Sequence, residues 1–314
     1  MKRREALKVG GIALSGVAAM NFLSLQESFA QAGRTGTAVQ KSGDLVAVMG
    51  DQPALMLEKA IAELGGIGQF VKTGDKVVIK PNIGWAKTPE MAANTNPVLV
   101  GALTRMCLEQ GASEVLVFDH TCNEWQSCYE LSGIEEEVKK NGGKMLPGNN
   151  ESYYREVKLP EGTILKSTKI HEALIDCDVW FNMPVLKHHG GAKMSISMKN
   201  YMGIIWDRRY FHKEGLHQCI ADVNSWEKRP ALNIVDAFRT LTQNGPQGKS
   251  EADAVQTNAM FVSADPIAVD TAAIKFFAQL KPVNLEDVSH VAMGEAHHIG
   301  SSDLSKKNIK RIKL

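Results

Sequence analysis

KVVIKPNIGWAKTPEMAANTNPVLVGALTRMCLEQGASEVLVFDH, residues 76–120, decides the fold. It opens on an apolar run, Lys76 to Lys80, and closes on a second, Glu114 to Asp119. Between them Asn96 stands as N-cap, Pro97 takes the first helical position, and Leu99, Leu103 and Met106 recur at helical spacing on one face. Strand, helix and strand in that order make a βαβ crossover, which joins two parallel strands. The same alternation continues outward in both directions. Upstream, Leu45 to Met49 reads as the first strand, followed by a helix from Pro53 to Leu64 with Leu57, Ala60, Ile61 and Leu64 on one face. Downstream come a strand over Asp178 to Val185, a helix over Leu216 to Trp226, and strands over Ala231 to Asp236 and Asn258 to Ala264. Asp265 and Pro266 open a helix that runs to about Gln279, and Asn284 caps the last helix with Asp287 completing a capping box. Lys306 to Lys313 is expected as a terminal strand, and the Gly-, Asn- and Pro-rich stretch 142–162 as a surface excursion with at most short strands. The expected architecture is α/β: a mostly parallel, Rossmann-like sheet flanked by helices, one domain over residues 33–314.

Composition narrows the function. The chain has 314 residues, 44% hydrophobic and 23% charged, which suffices for a large core and excludes global disorder. Lys plus Arg number 36 against 35 Asp plus Glu, so no basic footprint marks a nucleic-acid partner. Residues 1–32 carry a different message. Lys2, Arg3 and Arg4 precede a weakly apolar stretch from Val9 to Leu25, and Ala30-Gln31-Ala32 supplies a small-residue cleavage site. Arg3-Arg4-Glu5-Ala6-Leu7-Lys8 resembles a twin-arginine export signal. The expected partner is then the twin-arginine translocase, and the destination the periplasm or beyond. Removing residues 1–32 shifts the net charge from +1 to −1.

Five cysteines, at 107, 122, 128, 177 and 219, include no Cys-x-x-Cys pair. Neither an iron–sulfur cluster motif nor a paired-ligand zinc site is legible, and the cofactor stays unassigned. Cys122 and Cys128 are near enough in sequence to form a disulfide in an oxidising compartment.

In open α/β sheets ligands bind beyond the carboxyl ends of the strands. Here the apolar runs close on Lys80-Pro81-Asn82, Asp119-His120, Pro184 to His189, Asp236, and Ser263-Ala264-Asp265, a set expected to surround one crevice. The densest stretch is KHHGGAKMSISMKN, residues 187–200, where Gly190-Gly191 lets backbone approach an anion and Lys187, Lys193 and Lys199 supply charge. It contains no Walker loop and no dinucleotide fingerprint. His188, His189, His212 and His217 fall in the same third of the chain, without the spacing of a metal-binding helix face.

Several of these stretches together resemble the family called domain of unknown function 362. They are Val77 to Asn82, Asn94 to Pro97, Pro184-x-x-Lys187-x-His189 leading into Ser197 to Gly203, then His217, Ile234-Val235-Asp236, Asn244 to Gly248, and Ser263 to Asp270. The resemblance spans about Val46 to Gly300 and implies the same α/β fold. Many members of that family carry an attached iron–sulfur module, for which this chain has no clustered cysteines. The family is also distantly similar to nickel-pincer lactate racemases, whose histidine-rich motif does not match this one closely enough for residue transfer.

The expected function is an exported enzyme binding a small anionic substrate, or a phosphate-bearing or metal cofactor, in a Lys/His/Asn crevice. Lys187, His189 and His217 are the candidate proton-transfer residues. Lys80, Asn82, Lys193, Lys199 and Asn200 are the candidate anion binders, with Asp236 and Asp270 as metal or supporting carboxylates. The alternative is a non-catalytic periplasmic binding or maturation protein serving an iron–sulfur or other redox partner.

Overall fold

The computed structural model describes residues 44–314; the export signal expected over residues 1–32 lies outside the described residues. Among the described residues there are twelve strands: β1 (Leu45–Met49), β2 (Lys76–Pro81), β3 (Glu114–Val117), β4 (Lys144–Met145), β5 (Tyr154–Lys158), β6 (Ser167–His171), β7 (Val179–Met183), β8 (Val185–His189), β9 (Lys193–Ser195), β10 (Leu232–Leu241), β11 (Ala254–Ser263) and β12 (Ile309–Lys313). The helices are α1 (Pro53–Glu63), α2 (Pro97–Glu109), α3 (Trp125–Leu131), α4 (Ile134–Lys140), α5 (Glu172–Asp176), α6 (Ser197–Asn200), α7 (Arg208–Glu214), α8 (Leu216–Asn224), α9 (Pro266–Phe277) and α10 (His290–Ala296), with short 3₁₀ turns between.

The main sheet runs β12-β1-β11-β10-β7-β2-β3-β4, with β8 and β9 branching from β10. Most pairings are parallel, as the βαβ pattern requires, but β11 is antiparallel to both neighbours. That reversal corrects one expectation. Ser263 pairs with Asn233 at the start of β10, so the chain after it, including Asp265, leaves towards the edge where the parallel strands begin. Asp265 there caps α9 through Ile267 and Ala268 N–H and pairs with Lys307 at 2.8 Å, away from the crevice.

Alternation along each strand sorts side chains to two cores. Val77 and Ile79 face α1 and α2, whereas Val78 faces the layer that contains α6, α8 and α9. Asn96 caps α2 as its position suggests, accepting from Val98 N–H at 3.0 Å. The apolar run 178–185 is divided at Pro184, whose missing N–H interrupts the ladder, and both halves pair with β10. Asn284 completes its box with Asp287, but around a 3₁₀ turn; the last α-helix begins at His290. Cys122 and Cys128 are free thiols, since Cys128 turns into the core from α3 while Cys122 stays exposed. Among the described residues no helix is long and apolar enough to cross a membrane.

Candidate functional site

A cleft of about 450 Å³ opens where β2, β3 and β8 end, closed on the other side by α6, α7 and Pro246. Its floor is built from the sheet outward. Lys80, Asn182, Asn233 and Ser263 are register partners across β2, β7, β10 and β11, so four polar residues form one row. Asn200 continues the row from α6: its Nδ2 donates to Asn182 Oδ1 at 2.8 Å, and Asn182 Nδ2 donates to Asn233 Oδ1 at 2.8 Å. A buried amide is costly unless its hydrogen bonds are made, and this chain of amides makes them in sequence.

Lys80 is 1% exposed. Its ammonium reaches Asn200 O and Asn200 Oδ1, both at 2.8 Å, and forms an ion pair with Asp119 Oδ1 at 2.9 Å. Burial holds the Lys80 pKa below its ordinary value, with Asp119 opposing that shift. Asn200 takes two of the ammonium's N–H groups and the Asp119 carboxylate balances its charge, so Lys80 is committed to orienting Asn200 and Asp119. Gly203 covers the pair so closely that a side chain has no room there, and Gly203 O accepts from His120 N at 3.0 Å.

Lys187 is equally buried, and two of its donors are taken, by Asn82 Oδ1 at 2.9 Å and by Ala93 O. Burial lowers its pKa to about 7, with Lys199 and Lys80 pushing the same way. Its third position is therefore a proton or a lone pair near neutral pH, the property needed of a proton-transfer group. Asn82 is tied to both lysine systems, since its Nδ2 donates to Asn200 Oδ1 at 3.0 Å.

Lys199 differs from the other two. It is 9% exposed, burial lowers its pKa to about 8, and its ammonium meets Met202 Sδ at 3.1 Å without any oxygen acceptor among the described residues. Arg208 adds a fourth cation, bound to the carbonyls of His120 and Thr121 at 2.8 and 2.7 Å and to Cys122 Sγ at 3.2 Å. The cleft thus gathers Lys80, Lys187, Lys199, Arg208 and Arg209 around one lining carboxylate, Asp119.

His189 lines the cleft, and burial keeps it neutral by pushing its pKa far down. Its Nδ1 accepts from Gly191 and Ala192 N–H at 3.1 and 3.0 Å, which places the proton on Nε2 and makes the ring a donor rather than a base. Four other candidates stand outside. Lys193 is exposed at the start of β9, where its φ of 63° is left-handed. His217 Nδ1 pairs with His290 Nδ1 at 3.0 Å rather than lining the cleft. Asp236 is spent on the N–H groups of Asn96 and Phe238, at 2.8 and 2.9 Å.

Asp270, expected to face the crevice or a basic partner, instead accepts from the N–H groups of Ser197 and Met198 at 2.9 and 3.0 Å. It clamps the first turn of α6, the segment that carries Lys199 and Asn200, so it acts on the cleft through their position. Burial raises its pKa to about 7 and that of Asp236 to about 6. Neither carboxylate faces a cation in the cleft, and among the described residues no group of three or more His, Cys, Asp or Glu could hold a metal ion.

Reading by residue type missed Asn182, Asn233 and Arg208. The two asparagines sit inside apolar runs, and an amide among buried strand residues was the available signal. Nothing local marks Arg208, whose partners are 86–88 residues away.

Fold and cleft define an α/β protein with a cationic crevice at the carboxyl ends of its parallel strands. Residues 77–275, well over half of the chain, match the family described as "Domain of unknown function (DUF362)", and the chain belongs to that family. Over 240 residues it is 23% identical to the thylakoid-associated protein sll1697 of Synechocystis sp., covering 73% of this chain and 71% of that one. It is also similar to the solved lactate racemase apoprotein of Thermoanaerobacterium thermosaccharolyticum, with a TM-score of 0.48 and 12% identity over 79% of this chain. The chain spans 60% of that racemase's length.

Proposed function

We propose that the cleft is the active centre of an exported enzyme and takes a small anion, a carboxylate or a phosphate-bearing molecule. The observation that carries this reading is Lys199: an ammonium 9% exposed, lining the cleft, with a thioether as its only hydrogen-bond partner among the described residues. A buried cation is stable when an opposite charge or good acceptors surround it, and an incoming anion supplies both. In this reading Lys199 and Arg208 bind the charge, Asn82 and Asn200 orient the ligand, and His189 donates through Nε2. Lys187 moves the proton at its third position. Lys80 and Asp119 support these groups from below.

The test is thermal. Phosphate, sulfate or a short carboxylic acid should raise the midpoint of unfolding more than chloride at equal ionic strength. A ligand at about a hundred times its Kd adds about 2.7 kcal/mol, which is several degrees for a protein of this size. Lys199→Met should remove most of that shift while the protein stays folded, and an equal response to chloride would refute the reading. Export by the twin-arginine route is part of the proposal. Replacing both Arg3 and Arg4 with Lys should leave the chain in the cytoplasmic fraction, and efficient export of that variant would point to the secretory route instead.

A further inference from the structure

Cys122 lines the same cleft, and proton transfer through Lys187 makes no use of it. Its position is set from two sides. Its N–H donates to Gly84 O at 2.8 Å, and Arg208 Nη1 donates to its Sγ at 3.2 Å while the same guanidinium grips the two preceding carbonyls. Of the five cysteines it alone is exposed; Cys107, Cys128, Cys177 and Cys219 are buried. Reactive cysteines occupy electropositive, partly exposed surroundings, whereas buried structural thiols are inert.

The second, independent observation is Lys199, whose buried ammonium lines the cleft without an oxygen acceptor among the described residues and so points to an anion there. Cys122, Lys187 and Lys199 line the same cleft, which brings the sulfur, the half-satisfied ammonium and the one without an oxygen acceptor among the described residues into one space.

We propose that Cys122 is the nucleophile of this cleft, and that the substrate is a small anion with an electrophilic carbonyl carbon one or two bonds from its charged group. The inference rests on the anion reading above and adds the substrate class to it. In the step, the Cys122 thiol passes its proton to the Lys187 amine, and the sulfur electron pair forms a C–S bond to the carbonyl carbon. The carbonyl π pair moves to oxygen, and that oxygen takes a proton from the Lys187 ammonium. The product is a tetrahedral hemithioacetal-type adduct, with no electron lost and no further reactant needed.

Two alkylating agents of similar size test the idea, because iodoacetate is an anion and iodoacetamide is neutral. Both form a C–S bond and release iodide. With the full-length protein under reducing conditions, peptide mass spectrometry should show modification at Cys122. The iodoacetate-to-iodoacetamide rate ratio there should be at least tenfold above the ratio for the same cysteine in the urea-unfolded chain. Phosphate should slow iodoacetate, and Lys199→Met should return the ratio towards the unfolded value; if that variant does not fold, the unfolded wild-type chain still supplies the reference.

The substrate class is tested by protection. Glyoxylate, which carries a carbonyl carbon beside its carboxylate, should shield Cys122 better than acetate at the same concentration. An unfolded-like rate ratio, or equal protection by glyoxylate and acetate, overturns the proposal. If phosphate still raises the thermal midpoint in that case, the anion reading stands without a cysteine nucleophile; if it does not, both fall.

Discussion

Replacing Gly203 with alanine should damage the cleft more than its single methyl suggests. A Cβ at that position falls 1.8 Å from Asp119 Oδ1, 2.4 Å from Lys80 Nζ and 2.7 Å from Lys80 Cε. An ordinary contact is about 3.5 Å, so the carboxylate and the ammonium must both retreat by about 1 Å or more. Retreat has two costs. It stretches the 2.9 Å ion pair between Lys80 and Asp119, and it pulls Asp119 Oδ2 from the Ile83 N–H that it accepts at 2.7 Å. Overpacking a close-packed site costs about 1–3 kcal/mol, and breaking a buried ion pair about 3–5 kcal/mol. These costs overlap, and the expected loss is about 3–4 kcal/mol. Urea titration reads it as a fall in the midpoint at unchanged slope. Gly190→Ala is the control, because the nearest atom to its Cβ is Gly245 O at 3.9 Å, and it should cost less than about 0.5 kcal/mol. Since Lys80→Met removes one of the displaced groups, the double variant should cost less than the sum of the two single variants. Gly203→Ala within about 1 kcal/mol of wild type, with the phosphate response intact, would refute the claim that a rigid buried pair forms the cleft floor.

Asn182→Ala should cost about 3 kcal/mol by urea titration, because it leaves Asn200 Nδ2 and Asn233 Oδ1 buried without each other's bridge; a loss below about 1 kcal/mol would mean that the amide row is incidental. Stability should also depend on pH in two opposite limbs. Asp236 and Asp270 titrate at about 6 and about 7 in the folded protein against 3.8 ordinarily, so folding retains protons there and their contribution falls as pH rises from about 4 to about 7. Lys187 and Lys199 titrate at about 7 and about 8 against 10.5, so folding releases protons and stability rises from about pH 8 to pH 10. Urea midpoints across that range should show both limbs. Asp270→Asn should flatten the acid one, and an unchanged acid limb in that variant would count against its buried carboxyl as the source.

Much of the fold is legible along the chain because its signals are local. Asn96 before Pro97 and Asp265 before Pro266 announce helix starts through their own caps and fixed φ, and the structure uses both. Apolar runs alternating with helical periodicity require crossovers and hence parallel strands, which gives the βαβ core around β2 and β3. The same logic places Lys80, Asn82, Lys187, His189, Lys199 and Asn200 near strand ends, and all six line one cleft. Tertiary structure decided the rest. Strand direction is not written in a strand's own residues, so only pairing between β10 and β11 reveals that the chain after Ser263 carries Asp265 away from the crevice. Residue type likewise does not say which hydrogen bonds a side chain will spend. Lys80, Lys187 and Lys199 are alike in sequence, yet partners up to 120 residues away give the first two amide-group acceptors and a carboxylate, hold two donors of the second and, among the described residues, leave the third without an oxygen acceptor. Asp270 reads as a charge needing a cation and finds backbone N–H groups 72 and 73 residues away instead. Local sequence determines where a polar side chain starts; its chemistry is set by the donors and acceptors that folding brings within reach, and those come from the other end of the chain.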